Sequence, residues 1–195
     1  VGALEMKGYS LYGGNALYDE DWNECCEIFE KLYEITNFPG YANTLGYIYY
    51  YGRANGGVPE YDKAFKYFTI GHLDGFFEST YKLADMLANG MGVPKNPRKA
   101  TMLVADISNI NLEGFCQGDF TIKLADVALR LGCYFENGTA INVDLEEAYK
   151  YYLMAQYAII KRMETEKQYG DKSVMERITQ AVDRVKKKLE EEDKT

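Results

Sequence analysis

The sequence predicts an all-α chain: an α/α superhelical solenoid built from antiparallel helix pairs. Three observations carry that expectation. Between Thr80 and Leu103 the chain reads as a helix, a tight Gly-Met-Gly turn, an extended Val-Pro and a second helix opening near Pro97. The same order recurs along the chain, with a small residue in each first helix at Gly8, Gly46, Ala84 and Gly132, spaced 38, 38 and 48 apart. The turn glycines Gly14, Gly52, Gly90 and Gly138 keep those same three spacings. Two markers sharing one period indicate stacked helical hairpins.

Taken in order, the first repeat pairs a helix over 3–11 with one opened by Asp21, a residue whose carboxylate suits the N-cap position. Trp22, Cys25, Ile28, Phe29 and Leu32 then fall on one face at helical spacing. The second repeat pairs 41–51 with 62–70, and the third pairs 78–88 with 97–107. Pro97 suits a first helical turn, where a missing N–H costs nothing. The period then lengthens by ten residues, a surplus that must sit between Ala105 and Thr121. There, 108–114 reads as loop, with room for an extended helix before it. The fourth repeat pairs about 120–136 with a helix from Asp144 whose apolar stripe, Ala148, Tyr152, Ala155, Ile159 and Met163, runs on to about Gln168. Gly170-Asp171 breaks the chain. Ser173 and Glu176 have capping-box spacing for a last helix, and Ile178, Val182, Val185 and Leu189 draw one apolar line along it. Such a helix covers the exposed end of a stack. The expected organisation is four repeats at about 1–38, 39–76, 77–118 with the insertion, and 119–170, then a capping helix and charged tail over 171–195.

The motif Leu83-Ala84-x-x-Leu87-x-x-Gly90-x-Gly92-Val93-x-x-Asn96-x-x-Lys99-Ala100 resembles the Sel1-like repeat, a relative of the tetratricopeptide repeat. Leu131 to Ala148 keeps the spacing, with Ala140 for the second Gly and Ile141 for Val. Leu45 to Ala64 keeps the ends around a longer turn, and the first copy is the least faithful, with Cys25 in the Ala position.

Composition bounds the function. A hydrophobic content of 47% supports a packed core, and a net charge of −8 argues against nucleic-acid or anionic-membrane surfaces. No apolar run approaches a membrane span. The expected location is the cytoplasm; the initial Val leaves room for a removed leader. Cys25, Cys26, Cys116 and Cys133 lack zinc-ligand spacing, so no metal or cofactor is expected, and the thiols read as small packing groups. His72 is the only histidine, and no nucleophile motif marks it as a base.

The tyrosines, 18 of 195 residues, are the more informative feature. The tetratricopeptide resemblance implies that first helices line a concave groove. Carried over by position, the groove residues are Glu5, Tyr9 and Tyr12; Asn43, Tyr47, Tyr50 and Tyr51; Tyr81, Asp85 and Asn89; Leu129, Cys133 and Glu136. Tyrosine offers a large amphipathic contact with few torsions to freeze. Asparagine can hold a peptide backbone, and the carboxylates favour a Lys- or Arg-bearing ligand. Tyr49 and Tyr67 read as packing residues; for Tyr47 and Tyr81, groove contact and packing between repeats both stay open. The expected function is a non-enzymatic scaffold or adaptor that binds a protein or peptide partner through the groove, with 109–118 as a second candidate surface. The alternative is a hydrolase acting on a cell-wall or β-lactam-type substrate, which the resemblance to cysteine-rich Sel1-like proteins suggests, although their distinguishing cysteines are missing. A third reading is self-association through the C-terminal helix.

Overall fold

The computed structural model describes residues 1–14, 17, 19–166, 168 and 170–192. Within them the chain is all-α, of the α/α repeat solenoid class, with nine helices and no strand. In chain order they are α1 (Gly2–Gly13), α2 (Trp22–Thr36), α3 (Pro39–Tyr50), α4 (Tyr61–Leu73), α5 (Phe77–Asn89), α6 (Pro97–Cys116), α7 (Leu124–Asn137), α8 (Leu145–Thr165) and α9 (Asp171–Glu192). The chain forms two compact units, Val1–Lys95 and Asn96–Thr195, so the boundary falls between the two helices of the third repeat.

In the first unit, successive helices pack in a row from α1 to α5. The helices start where local chemistry dictates. The Asp21 carboxylate accepts hydrogen bonds from the N–H groups of Asn23 and Glu24, at 3.1 and 3.0 Å, and Asn37 closes α2 in the left-handed conformation. Phe29, Leu32, Leu45, Ile48, Phe68 and Met86 are fully buried, each stabilising by roughly 1.5–3 kcal/mol relative to exposure.

In the second unit α6 packs on α7, α7 on α8 and α8 on α9. The Asn96 side chain caps α6 and the Asp144 side chain caps α8. The core joins Phe115, Leu124, Ala128, Leu129, Tyr152, Ala155, Ile159, Ile178, Val182 and Val185.

The small-residue period has a direct physical cause. A Cβ at Gly46 would stand 2.6 Å from the Phe68 ring, and one at Gly132 would stand 2.5 Å from the Tyr152 ring. Each glycine lets the second helix of its hairpin bring an aromatic ring against the backbone of the first.

Three local expectations are corrected. Residues 108–114 are helix rather than loop: Ile107, Asn111 and Phe115 are buried one turn apart, and Asn111 Nδ2 donates to the Ile107 carbonyl at 2.8 Å. The fourth repeat's first helix begins at Leu124, later than about 120. The last helix begins at Asp171 rather than after a Ser173 cap, because the buried Asp171 carboxylate is held by Arg162 at 2.8 Å and by the Gln168 N–H at 2.8 Å. Asn15, read with Gly13 and Gly14 as the first turn, and the tail from 193 lie outside the described residues.

Candidate functional site

The first-helix face of the first unit gathers most of the expected groove residues. On α1, Tyr9 is 48% exposed and rests edge-on against Phe29, while Tyr12 rests edge-on against Trp22. On α3, Tyr47 and Tyr50 are half-buried, and Tyr51, just past the helix end, is 45% exposed. Asn43 is half-buried too, and its Oδ1 accepts from Ser79 Oγ of α5 at 2.7 Å.

Cations join these rings into one strip. The Arg53 guanidinium, from the turn after α3, lies 4.4 Å from the Trp22 ring centroid, 5.2 Å from that of Tyr12 and 5.2 Å from that of Tyr51. Farther along, the Lys82 ammonium of α5 lies 4.2 Å from the Tyr50 centroid, 4.9 Å from that of Tyr51 and 5.5 Å from that of Tyr47. Desolvated contacts of this kind contribute on the order of 2 kcal/mol. The strip therefore runs without a break from α1 across α3 to α5.

Tyr81 resolves to packing: it is 6% exposed, with its hydroxyl 3.1 Å from that of Tyr47. Asp85 is half-buried, and exposed Asn89 donates to the Asp85 carbonyl at 2.8 Å. Tyr49 and Tyr67 stack within the core, 5.7 Å apart, as expected of packing residues.

The α7 positions differ. Leu129 is buried in the core of the second unit, so it presents no open surface. Glu136 is also buried, contrary to the expectation of a carboxylate facing a ligand. Its oxygens accept from Arg184 Nε and Nη2 at 2.8 and 2.7 Å, from Lys188 Nζ at 2.8 Å and from Tyr152 Oη at 2.7 Å. The Arg184 hydrogen bonds, together with Lys188 and Tyr152, outweigh desolvation and hold its carboxyl down at about 2. Cys133 Sγ lies 3.3 Å from the same Tyr152 hydroxyl. Nothing in the local sequence marks Glu136 as paired, since its two cations stand 48 and 52 residues away. Along 109–118, Ile110 and Leu112 are exposed on α6, so that surface is helical.

The apolar line of α9 is spent inside the second unit, where Ile178, Val182 and Val185 are buried; Lys172, Glu176, Arg177, Gln180 and Asp183 face solvent. Of the apolar line, only Leu189 is left half-buried.

His72 Nδ1 lies 2.9 Å from Thr80 Oγ1. That hydroxyl donates to the Phe76 carbonyl, so the imidazole donates to it from Nδ1–H. A hydroxyl already committed to a helix carbonyl is not an activated nucleophile. Burial pushes the Cys25 thiol up to about 12 and raises that of Cys26, which keeps both protonated and suited to packing. Among the described residues no helix is long and apolar enough to cross a membrane.

These hairpins and their shared helix face define an α/α helical-repeat protein of the solenoid class. The Sel1 repeat profile matches residues 42–71, 77–103 and 125–155, so the chain carries three Sel1 repeats. The first, least faithful copy falls outside the matched residues. One similar solved structure is that of c5321, described as a protective antigen present in uropathogenic Escherichia coli strains displaying an SLR fold. It has 16% identity and a TM-score of 0.64, over 95% of this chain and 40% of that one. Another is a Sel1 repeat protein from Oxalobacter formigenes, with 17% identity and a TM-score of 0.57, over 84% of this chain and 63% of that one. The chain thus spans less than two thirds of the length of either. No curated protein matches it. Sel1-repeat proteins generally serve as scaffolds for protein–protein interaction and are typically not enzymes, and nothing found supports the hydrolase alternative.

Proposed function

We propose that this chain is an interaction module that docks a protein segment on the first-helix face of its first unit. The carrying observation is the strip of Tyr12, Trp22, Arg53, Tyr51, Tyr50 and Lys82, joined ring to cation, with Tyr51 and the neighbouring Tyr9 about half exposed. Stiff aromatic side chains held in place before a ligand arrives lose little entropy on binding. Asn43 and Asn89 lie along the same helices and have amides suited to a peptide backbone. The expected preference for a basic ligand loses Glu136, which is neutralised within the chain.

The test is selection of peptides from a random display library on the folded protein, repeated with Tyr9→Ala/Tyr51→Ala. Both side chains are about half exposed, and circular dichroism of the double variant checks that it stays folded without the Tyr51 contact to Lys82. The reading expects peptides whose affinity falls at least about tenfold in the variant. Failure to select any peptide, or equal binding by both proteins, overturns it.

A further inference from the structure

Lys82 is the one buried lysine among the described residues, 7% exposed. Lys7, Lys63, Lys150, Lys161 and Lys188 each have a carboxylate partner. Lys82 has none within ion-pairing distance among the described residues; its single hydrogen bond goes to Tyr51 Oη at 2.9 Å. The tyrosine faces around it carry partial negative charge but no full counter-ion. An ammonium removed from water in this way is left with positive charge to be matched.

Counting protons sharpens the point. The ammonium has three N–H bonds and spends one on Tyr51. The Tyr51 oxygen is the acceptor in that contact, so its own O–H proton is directed elsewhere. Tyr51 is 45% exposed, so one member of the pair reaches the surface. A cationic N–H donor and a phenolic O–H donor thus converge at one point on the face, with no carboxylate in ion-pairing reach of the ammonium.

We propose that Lys82 Nζ and Tyr51 Oη form a binding site for a carboxylate carried by the partner segment. One carboxylate oxygen accepts from the ammonium and the other from the phenol, so the charge of Lys82 is matched only in the complex. This rests on the interaction surface proposed above and names the ligand chemistry it selects. The carboxylate is either a chain terminus or an Asp or Glu side chain.

The experiment is a titration of the protein carrying 13Cζ-labelled tyrosine, followed through the Tyr51 resonance. The probes are N-acetyl-alanine, which has only a terminal carboxylate, N-acetyl-glutamate amide, which has only a side-chain carboxylate, and N-acetyl-lysine amide as control. A saturable shift with a carboxylate probe and none with the lysine probe is expected; whichever carboxylate probe binds identifies its source. Lys82→Met should weaken that binding at least about tenfold. Tyr51→Phe keeps the half-exposed ring and removes only the O–H; monitored through the ring resonances of Tyr50, it should weaken binding about threefold or more. No saturable shift up to about 100 mM, or equal affinity in Lys82→Met, overturns the site. Selected peptides that bind equally well to Lys82→Met would remove the carboxylate site and leave the interaction surface standing. Carboxylate probes that bind while no peptide is selected would do the reverse.

Discussion

The joint between α3 and α5 in the first unit and that between α7 and α9 in the second occupy the same place in the repeat, yet they are made from different chemistry. Four residues after its small residue, α3 carries Tyr50, and α7 carries Glu136. In each case the next helix but one supplies the cation: Lys82 from α5, Arg184 and Lys188 from α9. The first joint meets the cation with ring faces and the second with a buried carboxylate. Aromatic faces offer Lys82 no full negative charge, whereas at the second joint a full negative charge meets two cations and a phenol. The architecture fixes where a cation arrives, and one residue in the earlier helix decides whether a full negative charge meets it.

The second joint should break most severely at its buried anchor. Arg162 donates to Asp126 and to Asp171, both at 2.8 Å, and is itself buried with Asp171. Arg162→Leu strands two carboxylates and should cost about 4 kcal/mol in urea unfolding followed by circular dichroism; a loss below about 1 kcal/mol would contradict the assigned role.

Glu136→Gln should cost less, about 2 kcal/mol at neutral pH, because Arg184 and Lys188 are nearly half exposed and can return to water. Its pH dependence is the sharper readout. The folded carboxyl is held at about 2 against an ordinary 4.5. The stabilisation is therefore complete above about pH 4.5 and is lost as the pH falls towards 2. The stability gap between wild type and Glu136→Gln should close across that window; a gap independent of pH would refute the linkage. The joint of the first unit, built on rings, should show no such window at Tyr50→Phe.

Gly46→Ala and Gly132→Ala test what the two units share. Each places a Cβ within 2.6 Å of a buried ring, so both should lose about 2 kcal/mol by overpacking. Unequal losses would show that the hairpins differ in more than their joints. The smallest change expected is a gain. Ala140 adopts φ 60, where L residues are strained, at the position where the repeat motif has glycine. Ala140→Gly should stabilise the second unit by about 1 kcal/mol in the same assay.

The repeat was legible because its markers record local geometry. Gly46 and Gly132 are small for a contact inside their own hairpin, so the sequence shows the requirement directly. The α6 extension was harder to see. Ser108, Asn109 and Asn111 resemble a loop by composition, and only the burial of Ile107, Asn111 and Phe115 turns that stretch into helix. For the candidate surface, the sequence displays which first-helix positions carry aromatic rings but not which of them stay exposed. Lys82 was missed because its importance lies in what surrounds it, three tyrosines 31 to 35 residues earlier, and spacing along the chain carries no such signal. Glu136 misled for the same reason, its cations arriving from a helix that closes back over it.

The stacking of Arg53 on Trp22 has a practical consequence. Trp22 is the sole tryptophan, and the guanidinium that covers it also touches Tyr51. Indole emission is sensitive to a cation against its face, so the molecule has a native optical reporter within its strip of rings and cations. A segment settling on Tyr51 should shift that emission without any attached dye, and the titration curve of the fluorescence would give its affinity directly.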